Sequence, residues 1–175
     1  MLKRVLCGAT AASLALAPIF ADAGCFTDAE WRAAHVKALQ LDLQVAALEC
    51  ANVQGASYTN EYNSFVTRFN DRLAIEGKQL KAHFARLYKG GSEKELDIFV
   101  TKVANDASDR SMKDMSFCAN SAGTFKDALA IEAPQLEDAA LTHVVDHTEI
   151  GEVCPAGPAK KTTKAAAKKV KTAQK

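Results

Sequence analysis

Beyond its first 23 residues, this 175-residue sequence has no apolar run approaching the roughly 20 residues that cross a bilayer. It also lacks the Gly-x-Gly-x-x-Gly, P-loop and Gly-x-Ser-x-Gly patterns, so nothing marks a dinucleotide site, a phosphate cradle or a nucleophile elbow. There is no Cys-x-x-Cys, which argues against a thioredoxin-like dithiol, and no Cys-x-x-Cys-His, which excludes covalent c-type haem. No internal repeat and no convincing strand stand out. Carboxylates are numerous but lie at helix-surface spacings, so no acid–base pair can be singled out. The expectation from these absences is a non-enzyme with no obligatory cofactor.

What the chain does have begins at its N-terminus. Lys3 and Arg4 precede an apolar run from Val5 to Phe20, and Ala21-Asp22-Ala23 follows as a small-x-small cleavage signature. The run is too short for an anchor and is broken by Pro18. Residues 1–23 read as a secretory signal peptide, with a mature chain starting at Gly24. Lipidation at Cys25 would call for a Leu-like residue where Asp22 stands. The short, Ala-rich leader points to a bacterial export route and a periplasmic or secreted product with no integral membrane span.

Export reassigns the cysteines. Removing the leader discards Cys7 and leaves Cys25, Cys50, Cys118 and Cys154. Four cysteines in an oxidising compartment read as two disulfides. The roughly 150 remaining residues are enough for one domain with a real core, here placed at 24–154.

Helical signals dominate that domain. Thr27-Asp28-Ala29-Glu30 is a capping box, so a helix should follow to about Asn52. Trp31, Ala34, Ala38, Leu41, Val45 and Leu48 form its inward stripe, and Leu39, Leu43 and Cys50 widen its apolar surface, which makes it central. A second helix is predicted from about Thr59 to Lys89, with Tyr62, Phe65, Val66, Phe69, Leu73, Leu80, Phe84 and Leu87 inward. Gly77 in its middle marks a kink or a close helix crossing, and Gly90-Gly91 a C-cap. Ser92-Glu93-Lys94-Glu95 reads as a second capping box, opening a third helix to about Asn120 with a break within 105–113. A short helix over Ala122–Glu132 and a last turn or two over Gln135–Val145 follow. The expected fold is all-α: an antiparallel three- to four-helix bundle with short loops.

Helix order then selects among the three disulfide pairings. In an up-down-up arrangement the ends of the first and third helices share a pole, which brings Cys50 to Cys118. Cys25 starts at the opposite pole, to which a returning fourth helix delivers Cys154. Such long loops each contribute roughly 4 kcal/mol in the chain-entropy model.

Charge is segregated. Gly24–Pro158 holds 20 Asp+Glu against 13 Lys+Arg, a net −7, whereas Ala159–Lys175 holds seven Lys and no acid. Residues 155–175 comprise a Pro155/Gly157/Pro158 linker and a tail with almost nothing to bury, predicted disordered. Lys160, Lys161, Lys164, Lys168, Lys169, Lys171 and Lys175 would attract an anionic envelope surface or an acidic partner. Over these 17 residues alone the tail resembles those of linker histones. The export signal argues against nucleic acid as the partner.

His143-Val-Val-Asp146-His147, followed by Glu149, is the one plausible metal site. Histidines at i and i+4 of a helix share a face and can chelate a divalent transition metal, with a carboxylate as a further ligand. The bland alternative is two surface histidines at a helix end. His35 and His83 read as half-buried packing residues. Met112 and Met115, beside Phe117, read as core rather than as soft-metal or haem ligands. The expected function is a non-enzymatic exported binding or structural module with a polycationic tail; the alternative is metal or small-ligand binding through His143 and His147.

Overall fold

The computed structural model describes residues 24–53, 55, 57–143 and 150–155. The leader, the tail lysines and His147 therefore lie outside the described residues, as do Asp146 and Glu149. The described chain is all-α: α1 (Asp28–Glu49), α2 (Tyr58–Leu87), α3 (Ser92–Lys113), α4 (Phe117–Ala130), a 3-10 turn at Ala133–Gln135, and α5 (Leu136–His143). That is more helices than the three or four expected. Among the described residues no helix is long and apolar enough to cross a membrane.

The central position expected for α1 holds, because it packs against α2, α3, α4 and α5. Its start is the predicted capping box: Glu30 N–H donates to Thr27 Oγ1 (3.3 Å), and Thr27 N–H donates to Glu30 Oε2 (2.9 Å). Its apolar residues divide between two cores. Val36, Leu39, Leu43, Ala46 and Ala47 join Phe65, Phe69 and Phe125, with Leu136 and Ala140 of α5, in the larger one. Ala33, Ala34, Ala38 and Leu41 join Phe26, Leu80, Phe84, Phe99 and Val103 in the smaller. A helix apolar on most sides must be enclosed by its neighbours, and the methyl-sized side chains of Ala33, Ala34 and Ala38 let other helices approach closely.

The disulfides are Cys25–Cys154 and Cys50–Cys118, the pairing expected, with Cα–Cα distances of 4.9 and 5.7 Å. Two disulfides point to an oxidising, extracytoplasmic environment. Beside the first, Phe26 N–H donates to Glu152 O (3.0 Å) and Cys154 N–H to Phe26 O (2.7 Å), an isolated parallel bridge that fixes both ends of the domain together.

Several local expectations are corrected. The third helix runs unbroken through the polar stretch and ends at its last residue, Lys113, because Asp114 turns the chain by accepting from Ser116 N–H (2.8 Å) and Oγ (2.6 Å). Cys118 consequently lies in the first turn of α4, not at the end of α3. The predicted capping box at Ser92 does not form. Gly91 is the N-cap, its φ of 118° being open to glycine at little cost, and Ser92 is already helical. Met112 and Met115 are exposed rather than core: Met112 sits on the open face of the last turn of α3, and Met115 in the turn that follows it. Leu48, assigned inward, is 69% exposed at the last turn of α1. A Cβ at Gly77 would meet nothing within 4 Å, so no close helix crossing explains that glycine.

Ionic clamps hold α4 and α5 in place. Arg68 of α2 donates to the Leu129 (2.9 Å) and Ile131 (2.7 Å) carbonyls, satisfying groups that the end of α4 leaves open. Arg32 of α1 reaches Asp138 (3.1 Å), and Arg72 of α2 is paired with Glu137, so both helices grip α5. Arg72 also lies 2.7 Å from the buried Glu76; burial pushes that carboxyl up, with Arg72 opposing.

Candidate functional site

Two clusters of polar side chains stand against the apolar interior, one at each disulfide. The first is a knot. Glu30, the capping residue, is 6% exposed and turns its carboxylate toward α2. Arg86 grips it with a fork, Nε to Oε1 at 3.2 Å and a terminal nitrogen to Oε2 at 2.5 Å, and donates also to Cys25 O (2.9 Å). His83, 2% exposed, brings Nδ1 to within 3.2 Å of the same Oε2. The same Nδ1 also lies 3.2 Å from the Arg86 terminal nitrogen, so it donates to the carboxylate in one tautomer and accepts from the guanidinium in the other. Phe26 stacks on the His83 ring, 3.7 Å between centroids and 3° from parallel. Burial alone would raise the Glu30 carboxyl; Arg86, the Thr27 N–H and His83 outweigh it and hold the pKa at about 2. Burial, more than the opposing pull of Glu30, holds His83 below its ordinary value and therefore largely neutral.

The second cluster is a cleft of about 180 Å³ between α1, α3, α4 and α5. Leu39, Asp42 and Leu43 present one face of α1; Phe117, Asn120, Ser121 and Thr124 present one stripe of α4. Arg110 of α3, Asp114 of the following turn and His143 of α5 complete the rim. The floor is apolar, with Leu39 and Leu43 fully buried. Arg110 is clamped between Asp42 (2.6 Å) and Asp106 (2.5 Å). The hydroxyls face inward to their own helix: Ser121 Oγ donates to Phe117 O (2.8 Å) and Thr124 Oγ1 to Asn120 O (3.2 Å). The Ser116 hydroxyl and N–H hold the Asp114 carboxyl below its ordinary range.

The sequence-predicted residues fall unevenly on this geometry. His143 lines the cleft, and its Nε2 lies 3.5 Å from Asp127 Oδ2 of α4. Its supposed partner His147 is outside the described residues. Among the described residues no group of three His, Cys, Asp or Glu is arranged to hold a metal ion. His35 Nδ1 donates to Trp31 O (2.8 Å), and the ring packs on that of Trp31. His83 is more deeply buried than expected and belongs to the knot. Sequence reasoning missed Arg86, Asp42 and Arg110. Glu30 was visible only as a cap, and one signal for its second role was that an acid beside Trp31, Ala33 and Ala34 must be enclosed with a cation if that face is buried.

No protein-family model matches the chain, and neither a curated protein nor a solved structure matches it.

Proposed function

We propose that the protein is a non-enzymatic, exported module of the cell envelope, periplasmic or secreted, in which an acidic antiparallel helical bundle anchors a disordered polycationic tail. The observation that carries this reading is the Cys25–Cys154 bridge, closed one residue before the Pro/Gly linker and reinforced by the Phe26 and Val153 pairing. Cys154 is stapled to the start of the folded body, and the change from acidic to basic composition begins just past that staple. The tail would reach anionic lipid, lipopolysaccharide or an acidic protein, while the −7 body avoids the same surface. The test is a pull-down from envelope extract with the mature chain and with a chain lacking Ala159–Lys175. Capture of anionic components by the first alone supports the proposal; equal capture by both refutes it.

A second reading is metal or small-ligand binding at His143 and His147. Asp127, close to His143 Nε2, favours it by supplying an oxygen ligand from a neighbouring helix. Retention of stoichiometric zinc, copper or nickel by purified protein, lost on His143→Ala, tests it.

A further inference from the structure

We infer that a second cleft, between the end of α2, the first half of α3 and the segment beside the Cys25–Cys154 disulfide, binds a small phenol: a neutral aromatic ring bearing a hydroxyl. The site is separate from the tail and from His143.

This cleft measures about 250 Å³. Phe84 and Tyr88 of α2 face Ile98 and Phe99 of α3 across it, and Phe26 and His83 form its buried base. Tyr88 and Ile98 are 42% and 38% exposed, so apolar surface lies open at the mouth. Such walls favour a ring, because aromatic pairs gain from edge and face contacts beyond the area they cover. Phe84 already meets Phe99 (5.5 Å between centroids) and Tyr88 (6.3 Å) in this way.

The hydroxyl answers His83. Its Nδ1 is taken up in the knot by Glu30 and Arg86, Phe26 covers one face of its ring, and Phe84 meets it edge-on. Nε2 has no hydrogen-bond partner among the described residues and is not sealed from solvent. An almost fully buried imidazole therefore turns one unpartnered nitrogen toward the cleft it lines. A purely apolar ligand would cover that nitrogen and leave it unmet. Nε2 accepts in the tautomer that donates to Glu30 and donates in the tautomer that accepts from Arg86. A hydroxyl serves both, because it donates and accepts, whereas a carboxylate only accepts and an ammonium only donates.

The other polar side chains of the lining are the Tyr88 hydroxyl, Glu95 and Lys102, and Lys102 is already engaged. Glu95 and Lys102 bring one charge of each sign. In a chain beginning at Gly24, which also lines the cleft, the α-ammonium adds a positive charge at an exposed position, where it is solvated and worth little to an anion. The buried nitrogen and the aromatic walls, rather than these charges, select the ligand.

The experiment uses the oxidised mature chain and four matched probes: 4-methylphenol, toluene, 4-methylbenzoate and 4-methylbenzylammonium. The benzoate is the control for Lys102 and the Gly24 terminus, and the ammonium the control for Glu95. Binding is followed by NMR of backbone amides and of the histidine ring nitrogens. The phenol should bind about tenfold more tightly than toluene, and both ions more weakly than the phenol. Amide shifts should centre on Phe84, Tyr88 and Phe99, and the His83 Nε2 resonance should move with the phenol and stay with toluene. Ile98→Trp, which fills the mouth from an exposed position, should abolish binding with the melting temperature unchanged. Should that variant fail to fold, the four probes on the unaltered chain still decide. Equal affinity for toluene and the phenol, tighter binding of either ion, an unmoved His83 Nε2 resonance, no binding at millimolar phenol, or full affinity in a folded Ile98→Trp would each overturn the inference.

Discussion

The Cys25–Cys154 end and the Cys50–Cys118 end are built from the same parts and finished differently. Each has a disulfide joining distant segments, an apolar cluster against α1 and a polar group set into it. At the first end the polar atoms answer one another: Glu30 accepts from Thr27 and both sides of the Arg86 fork, and His83 Nδ1 lies within hydrogen-bond reach of both Glu30 and Arg86. At the second end the hydroxyls of Ser121 and Thr124 turn back to their own helix beside a cleft whose polar groups are not drawn into one closed set. A closed polar set stabilises a fold; an open one is available to a ligand. The difference separates His83, whose Nδ1 belongs to the closed set, from His143 at the wall of the open one, which residue type alone could not do.

The comparison can be broken most severely in the cores. Phe69→Ala or Phe125→Ala, both fully buried in the larger cluster, should cost about 3–5 kcal/mol in urea melts. Phe84→Ala, 7% exposed in the smaller cluster, should fall toward the lower part of that range. Equal losses below about 1 kcal/mol would show that neither cluster is a packed core.

Next comes the knot. Glu30→Gln should cost about 2 kcal/mol, because it removes the charge that Arg86 and His83 face, though Arg86 keeps partial access to water. Its pH signature is distinctive. Glu30 is held at about 2 against an ordinary 4.5, so its contribution is complete above the ordinary value and is lost as pH falls toward the folded one. His83 is also depressed, from 6.5, so acidification below that value charges it more readily in the unfolded chain and again lowers stability. Stability should therefore decline in two stages on acidification. Glu30→Gln should remove the lower stage, measured as melting temperature against pH, while Ser121→Ala at the open end should leave the profile unchanged.

How much of this was legible follows from the range of each interaction. The Thr27 box, the α2 stripe and both disulfides were readable, because caps and periodicity are local and helix order restricts which cysteines meet. The turn at Asp114 was misplaced, since the polar run at 105–113 continues as an exposed helix face and the actual stop is a side-chain turn three residues long. With it went Met112, Met115 and the start of α4. The cleft and the knot were not legible. Asp42 meets Arg110 across 68 residues and Glu30 meets Arg86 across 56, and no spacing rule links such positions.

The smallest expected effect sharpens the picture of α2. Gly77 is solvent-facing with open space at its Cβ position, so Gly77→Ala should stabilise by about 0.5–1 kcal/mol in the same urea melts. A loss instead would mean that the glycine serves a contact absent from the isolated chain.

The central claim is the division between a stapled acidic body and a cationic tail, and vesicle binding against salt tests it most directly. Each lysine near an anionic surface contributes about 1 kcal/mol, and the attraction is screened beyond a Debye length of about 8 Å at physiological ionic strength. The mature chain should bind anionic vesicles at low salt and release them by about 0.3 M. The chain lacking Ala159–Lys175 should not bind at any salt and should keep its melting temperature. Undiminished binding by the shortened chain would contradict the account, because the body that remains is acidic.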